Sequence, residues 1–152
     1  IAVYSGIINQ LKLTDDELAA ILGHEIAHAL REHARERASE QATAGLLINA
    51  GAAGFGLGSS GADLGRLAYQ TTFGLKHSRQ HETEADRIGV ELAARAGYDP
   101  RAAITLWQKM AARSGGKSQP EFLSTHPSAS TRIKDLQDYS ARVMPLYQGQ
   151  GR

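Results

Sequence analysis

Two histidines and a glutamate in the run His24-Glu25-Ile26-Ala27-His28 could bind a metal ion and activate a water molecule. If this run is helical, residues four apart lie on one face, so His24 and His28 can present two imidazoles to one ion. Zinc accepts imidazole and carboxylate ligands, and a catalytic zinc site keeps one position open for water. Glu25 projects about 100° away from His24 around the helix. Its carboxylate would therefore lie beside the metal, where it can take a proton from water.

The residues before this run predict the helix that such chemistry needs. Thr14, followed three residues later by Glu17, forms a capping box, which is typical of a helix N-terminus. Apolar residues then recur at helical spacing and predict a buried stripe, formed by Leu18, Ile21, Leu22, Ile26, Ala29 and Leu30. The alternative is that the two histidines are ordinary core residues. Burying them with a glutamate and no metal would cost free energy through desolvation.

A third ligand has to come from elsewhere, and residues 81–86 are the densest downstream group of ligand-type side chains. On a helix, Glu82 and Asp86 share a face, while Glu84 points about 160–200° away. Glu82 would then bind zinc, and Asp86 would accept the ring N–H of a ligating histidine and fix its tautomer. We interpret Glu84 as a solvent-facing charge.

Composition limits the classes of fold and function. The 152 residues fit one domain, and 17 basic against 16 acidic side chains give a net charge of +1, which predicts no nucleic acid partner. There is no cysteine, so a zinc site must use histidine and carboxylate. The chain opens at Ile1 without an initiator Met or a recognisable signal peptide. We expect it to be an N-terminally truncated fragment.

Residues 1–8 are rich in β-branched and aromatic side chains and predict a strand. One strand cannot form a sheet alone, so its partners would lie upstream or in another chain. As an edge strand over the metal site, it could bind an extended peptide by strand addition. An ordinary strand without a ligand is the open alternative.

Residues 41–62 contain six glycines and no charged side chain. The length would admit a membrane span, but the glycines and polar side chains favour a buried or lid-like helix followed by a flexible tract at 51–58. Further helices are predicted over residues 62–75, 78–96, 100–113 and 130–142. We expect Gly97 to stop one helix, Asp99-Pro100 to open the next and Pro145 to limit the last.

Four motifs together resemble the M48 family of zinc metallopeptidases, in its soluble bacterial branch. They are residues 1–6, the run 24–28, Ser78-Arg79 before the group 82–86, and His126-Pro127 six residues before Arg132. The resemblance covers nearly the whole chain. It implies an α+β, predominantly helical, zincin-like (gluzincin) catalytic domain over residues 1–152, with a short edge strand and with the family's upstream strands missing.

The resemblance also implies roles for individual residues. One Zn²⁺ per chain would be bound by His24, His28 and Glu82, with Glu25 as the general base and Asp86 supporting a ligand.

By the same resemblance, His126 and Arg132 would line the active site as catalytic groups. In some members of the family the equivalent histidine can swing onto the zinc as a fourth ligand, while off the metal it could hydrogen-bond the developing oxyanion, together with Arg132.

The function implied is that of a zinc endopeptidase that acts on unfolded or misfolded proteins in cell-envelope quality control. The polypeptide substrate would lie extended along the edge strand, in the periplasm or cell envelope, and a missing N-terminal segment could bring the domain near a membrane. An alternative is a chaperone-like or latent module whose site is occluded by His126. A purely structural zinc site would be closed and four-coordinate and would leave Glu25 without a function.

Overall fold

A computed structural model describes residues 1, 3–113, 126 and 131–149. Within these residues the chain is predominantly helical, as predicted, and contains no strand. The elements are α1 (Ser5–Leu11), α2 (Asp15–Leu30), α3 (His33–Gly54), α4 (Gly58–Tyr69), a π-helix (Gln70–Gly74), α5 (Leu75–Arg95), α6 (Ala102–Arg113) and α7 (Arg132–Gln148).

Two compact units make up the chain. One consists of Ile1–Leu30 with Glu82–Arg152, and the other of Arg31–His81. Helix α5 begins in the second unit and continues into the first. The prediction of a single catalytic domain over residues 1–152 stays a prediction.

The N-terminal segment forms a helix where the sequence predicts a strand. From Ser5 onward the residues belong to α1, with Leu11 buried in the core and Ile7 packed against it. A strand satisfies its backbone N–H and C=O groups only by pairing with another strand, whereas a helix satisfies most of them internally. The described residues offer no partner strand, so the predicted edge strand is replaced by a helix from Ser5.

Helix α2 begins as the capping box predicts. The Thr14 backbone N–H donates to Glu17 Oε2 at 2.9 Å, and the Glu17 N–H donates to Thr14 Oγ1 at 3.2 Å. The Glu17 carboxylate is buried and also accepts from Thr105 Oγ1 at 2.9 Å and Lys109 Nζ at 2.6 Å, both on α6. The cap therefore fixes α2 against α6 as well as starting it.

The hydrophobic core of the first unit lies among α1, α2, α5, α6 and α7. The predicted stripe on α2 is correct for Ile21, which is 3% exposed, but wrong for Ile26 and Leu30, which are 38% and 66% exposed. Trp107 and Met110 on α6 are buried. The core consists of Leu11, Ala20, Ile21, Val90, Ala94, Ala103, Leu106, Trp107, Met110, Leu136 and Val143.

Helices α2 and α5 cross in backbone contact at two glycines. A Cβ placed on Gly23 would lie 2.5 Å from the carbonyl oxygen of Gly89, and one placed on Gly89 would lie 2.6 Å from the backbone nitrogen of His24. No side chain fits at such distances. The crossing places His24 against the turn of α5 that carries Glu82 and Asp86.

Residues 41–62 form neither a buried helix nor a flexible tract. Helix α3 continues to Gly54, α4 starts at Gly58, and the two pack as a helical hairpin with Phe55 at its tip. Small residues allow this close contact: a Cβ on Gly65 would lie 2.8 Å from Ile48 Cγ2. Among the described residues, no helix has the length and apolar character needed to cross a bilayer.

The later helix boundaries agree in part with the sequence. Gly97 has a φ of 81° after the end of α5, and Asp99 Oδ1 accepts from the Arg101 N–H at 2.9 Å before α6, as predicted. Helix α7 continues through Pro145 to Gln148, so the predicted end is wrong. One proline near a helix end removes a single backbone hydrogen bond, and Leu146 packs against the core beyond it. The predicted start at residue 130 lies outside the described residues.

Candidate metal centre

Four nitrogen and oxygen donors converge in the first unit. They belong to His24 and His28 on α2, Glu82 on α5 and His126, and one donor atom from each lies within 4.8 Å of all the others. His24, Glu82 and most of the His126 side chain are withdrawn from solvent. The first three are the ligands that the sequence and the family resemblance indicate, and the fourth is the residue that the resemblance places over the site.

The separations between these donors suit a tetrahedral metal ion. His24 Nε2 lies 3.1 Å from His28 Nε2, 3.2 Å from His126 Nδ1 and 3.5 Å from Glu82 Oε2. Glu82 Oε1 lies 3.3 Å from His28 Nε2 and 3.0 Å from His126 Nδ1. Ligands about 2.0–2.1 Å from a tetrahedral zinc ion are about 3.3 Å apart. The donor set and its spacing therefore fit zinc.

Asp86 orients the first histidine. Its Oδ1 lies 2.9 Å from His24 Nδ1, and both side chains are 5% exposed. A proton on Nδ1 of His24 donates to this carboxylate, which leaves the Nε2 lone pair directed at the other donors. The contact is the one that the sequence predicts for Asp86, and its support of a metal ligand stays a prediction.

Arg132 holds both carboxylates of α5 from a buried position. Its terminal nitrogens donate to Glu82 Oε2 at 3.2 Å and to Asp86 Oδ1 at 2.6 Å. Its guanidinium carbon lies 3.5 Å from the centre of the Trp107 ring, a cation–π arrangement. The guanidinium contacts the two carboxylates and the indole, and the oxyanion contact that we predict from the resemblance stays a prediction.

Glu25 lies beside the donor group rather than in it. Its side chain is 27% exposed, and its Oε1 is 3.2 Å from His126 Nε2. This contact is a charge pair rather than an aligned hydrogen bond. Interaction with His126 lowers the pKa of the Glu25 carboxyl below its ordinary value, so the group is anionic at neutral pH, as a general base must be.

The charges of the group show what a metal would replace. Burial alone would raise the pKa of Glu82, but hydrogen bonds with His126, His24 and His28 hold it far below its ordinary value. Burial lowers the pKa of His126, but the carboxylates of Glu25 and Glu82 raise it by more. The resulting pKa is about 9. The pKa of His24 is raised as well, because the hydrogen bonds to Asp86 and Glu82 outweigh its burial. The proton on His126 therefore supplies positive charge that a bound cation would otherwise supply.

The structure brings together every site residue predicted from the sequence, but the sequence does not reveal all of the residues that position them. Nothing in the sequence pairs Trp107 with Arg132. Gly23 and Gly89 carry a weak signal, because a glycine inside a helical pattern usually has a packing reason. Glu84 lies outside the donor group and is half-buried rather than fully solvent-facing.

Comparison with known proteins agrees with this site. The chain is 38% identical over 142 residues to mitochondrial metalloendopeptidase OMA1 of Schizosaccharomyces pombe. The aligned region covers 90% of this chain and 40% of the relative. It is 39% identical to the mitochondrial metalloendopeptidase OMA1 of Bos taurus over 88% of this chain and 27% of the relative. It is 30% identical to the β-barrel assembly-enhancing protease of Escherichia coli over 87% of this chain and 29% of the relative. No solved structure matches the chain significantly.

The chain thus spans less than half the length of these relatives. The sequence profile of peptidase family M48 matches residues 1–140, which include all the donors of the site. M48 peptidases are metal-dependent, and the group formed by His24, His28, Glu82 and His126 can hold the metal. The chain belongs to peptidase family M48, the metallopeptidase family that its sequence motifs resemble.

Proposed function

We propose that the chain is a zinc-dependent endopeptidase domain of the gluzincin type, with one zinc ion held by His24, His28 and Glu82. The observation that carries the proposal is the near-tetrahedral spacing of the donors, with Glu25 on the same helix but turned aside from them. The names of the relatives, which are proteases and metalloendopeptidases, support this activity.

Bound zinc would polarise the scissile carbonyl and make an attacking water more acidic. Glu25 would accept the proton of that water on its carboxylate and later donate it to the leaving amine. Asp86 would hold the His24 Nδ1 proton and so keep Nε2 directed at the metal. Arg132 would hold Glu82 and Asp86 in place through its two terminal nitrogens.

The substrate that we propose is an unfolded or misfolded polypeptide bound in extended form, in cell-envelope protein quality control. A bacterial relative named for β-barrel assembly supports an envelope location, while the mitochondrial relatives offer the alternative of an organelle. Docking along an edge strand stays a prediction, because the described residues contain no strand.

The variant Glu25→Gln tests the catalytic assignment. It removes the base but keeps the side-chain shape, so zinc content should stay at one per chain while casein cleavage falls at least about 100-fold, the lower end of general-base contributions. Zinc content is measured by mass spectrometry. Casein cleavage is measured with and without a chelator. Glu32→Gln is the matched control, since Glu32 is exposed and pairs with Arg35 at 3.0 Å. Cleavage near the wild-type rate in Glu25→Gln would remove Glu25 as the base.

A second candidate function is a latent or chaperone-like module, and the position of His126 favours it. Its Nδ1 lies among the metal donors and its Nε2 lies against Glu25, so the same ring covers both the open metal position and the base. In this state the water that Glu25 would activate has no place. We propose that this arrangement is the resting state of the peptidase.

The variant His126→Ala separates the two candidates. If His126 blocks an active peptidase, the variant should retain zinc, expose a position that binds small anions such as azide, and change its rate of casein cleavage. If the protein is a chaperone-like module, the variant should remain inactive towards casein while still suppressing the aggregation of an unfolded protein. Unchanged zinc coordination together with unchanged cleavage would make His126 a bystander.

A further inference from the structure

The helical hairpin of α3 and α4, with the residues that follow it, exposes an unusual number of large apolar side chains. Soluble monomers rarely expose contiguous apolar patches of more than about 300–600 Å² unless the patch binds something. The exposed side chains are 52–83% accessible and comprise Leu46, Leu47, Phe55, Leu57, Leu64, Leu67, Phe73 and Leu75. All of them belong to the unit Arg31–His81, which does not include the metal centre.

The hairpin has one polar side and one apolar side. Arg66 of α4 donates to Asn49 of α3 at 2.8 Å, which defines the side on which these two residues lie. Leu47 and Leu64 each come two residues earlier in their helices, and residues two apart project about 200° from each other. Leu47 and Leu64 therefore lie together on the opposite side of the hairpin.

The apolar surface extends beyond that side. Leu57 precedes Leu64 by seven residues, or two helical turns, and continues the same face towards the tip. Leu67 lies next to this face on the outer edge of α4, while Leu46 projects from the outer edge of α3 towards the side of Asn49, and Phe55 is 83% exposed at the tip. The apolar side chains thus cover one side, both outer edges and the end of the hairpin.

The charges of this unit suit an anionic surface. It contains six lysines and arginines and four aspartates and glutamates. Glu32 and Asp63 form ion pairs with Arg35 and Arg66. Glu36 and Glu40 contact the imidazoles of His81 and His77. By the count of lysines, arginines and carboxylates, the excess charge of the unit is positive.

We propose that this hairpin lies in the surface of an anionic lipid bilayer. Amphipathic helices such as α4 bury their apolar side about 5–10 Å into the headgroup boundary and leave the polar side in water, and Leu47 of α3 would enter beside Leu64. Arg66 would then lie on the side that faces phosphate and water, where long basic side chains are favoured. A second copy of the chain would cover one flank of the hairpin, whereas a lipid surface covers the side, the edges and the tip together.

A fluorescent label can test the contact directly, because the natural chain has no cysteine. The variant Phe55→Cys is labelled with an environment-sensitive nitrobenzoxadiazole dye and mixed with vesicles of phosphatidylglycerol and phosphatidylcholine. The control is Lys134→Cys, at an exposed position of α7, labelled in the same way. We expect the label at position 55 to brighten and shift to the blue, and the label at 134 to stay unchanged. Vesicles of phosphatidylcholine alone should give a weaker response. An unchanged signal at position 55 would overturn the proposal.

A double variant tests the face itself. Leu47→Ser with Leu64→Ser should weaken vesicle binding in co-sedimentation by about tenfold or more, because two apolar side chains no longer leave water. Ala38→Ser with Ala42→Ser, on exposed positions of α3, should bind as the wild type does. Equal binding by both double variants would contradict the assigned face. If no variant binds vesicles and the wild type has the mass of two chains in solution, the hairpin contacts a second copy and the lipid proposal is wrong.

Discussion

Gly23 and Gly89 bring the two metal-binding helices into backbone contact, and a Cβ on Gly23 would lie only 2.5 Å from the carbonyl oxygen of Gly89. His24 follows Gly23 directly, and Glu82 lies seven residues, or two turns, before Gly89 on α5. The distance between the donors thus depends on two residues that have no side chain. Any larger residue at the crossing must move a helix.

Gly89→Ala should therefore both destabilise the protein and weaken zinc binding. Overpacking of a tight contact costs about 1–3 kcal/mol, and here the obstructing atoms belong to the backbone of Gly23 and His24, which cannot rotate away. The free energy of unfolding is measured by urea denaturation and zinc affinity by competition with a chelator.

The matched control is Gly51→Ala in α3, where an added Cβ meets nothing within 4 Å. Alanine is favoured over glycine in a helix by about 1 kcal/mol, so this variant should be slightly more stable than the wild type. Equal stability and equal zinc affinity of the two variants would show that the crossing does not constrain the site.

Glu82→Gln should lose most of its bound zinc, whereas Glu84→Gln should keep one zinc per chain. Glu82 offers its two oxygens to three imidazoles at 3.0–3.5 Å, and Glu84 is not among the donors. Metal content after dialysis and affinity in a chelator competition give the comparison. Loss of zinc from Glu84→Gln with retention in Glu82→Gln would reverse the assignment.

Trp107→Leu should weaken zinc binding more than Trp107→Phe does. Both variants remove buried volume, but only leucine removes the aromatic face that lies against Arg132. A desolvated cation–π contact is worth up to about 2 kcal/mol, so losing it should loosen the hold of Arg132 on Glu82 and Asp86 and lower zinc affinity by about tenfold. Urea denaturation of the metal-free variants provides the comparison of stability. If both variants bind zinc equally well, the indole acts only as a core side chain.

Zinc binding should release protons at neutral pH and should strengthen as pH rises. The pKa of His126 is about 9, so its imidazole carries a proton at neutral pH that a metal must displace, and the raised pKa of His24 acts in the same direction. Calorimetry in two buffers with different ionisation enthalpies measures the release. Buffer-independent heats at pH 7.5 (about neutral, well below the pKa of about 9) would contradict this prediction.

The stability of the metal-free protein should fall as pH rises, whereas zinc affinity should increase. The pKa of His126 rises from 6.5 to about 9 on folding, so protonated His126 stabilises the fold fully below pH 6.5 and progressively less as pH rises towards 9. The thermal midpoint of the metal-free wild type should therefore fall across this range. His126→Ala should show a smaller fall, and parallel curves for the two proteins would exclude this linkage.

The parts of the fold that the sequence predicts are those set by neighbouring residues. Thr14 and Glu17 cap each other within one turn, and Gly97 takes the positive φ that ends α5. The segment Ser5–Ile8 is mispredicted because a strand depends on a partner, which local sequence does not specify. Residues 51–54 are predicted as part of a flexible tract but continue α3 to Gly54, because the glycine content of a short stretch does not determine where a long helix ends.

The same division applies to the site. The spacing of His24 and His28 on one helix, and of Glu82 and Asp86 on another, can be deduced from helical geometry. That the two pairs meet depends on the crossing of α2 and α5, which is a tertiary contact. Trp107 lies on a third helix, so its contact with Arg132 follows only from the assembled core.

The unit Arg31–His81 interrupts the first unit in sequence, since His28 precedes it and Glu82 follows it directly. A metal that joins His28 to Glu82 therefore closes a loop that contains this entire unit. The entropic cost of closing a loop grows only slowly, by about 0.6 kcal/mol for each doubling of its length. Insertions or deletions in the hairpin would thus alter the free energy of assembling the metal centre very little. Evolution can remodel the hairpin for its own contacts while the candidate metal centre stays under separate selection.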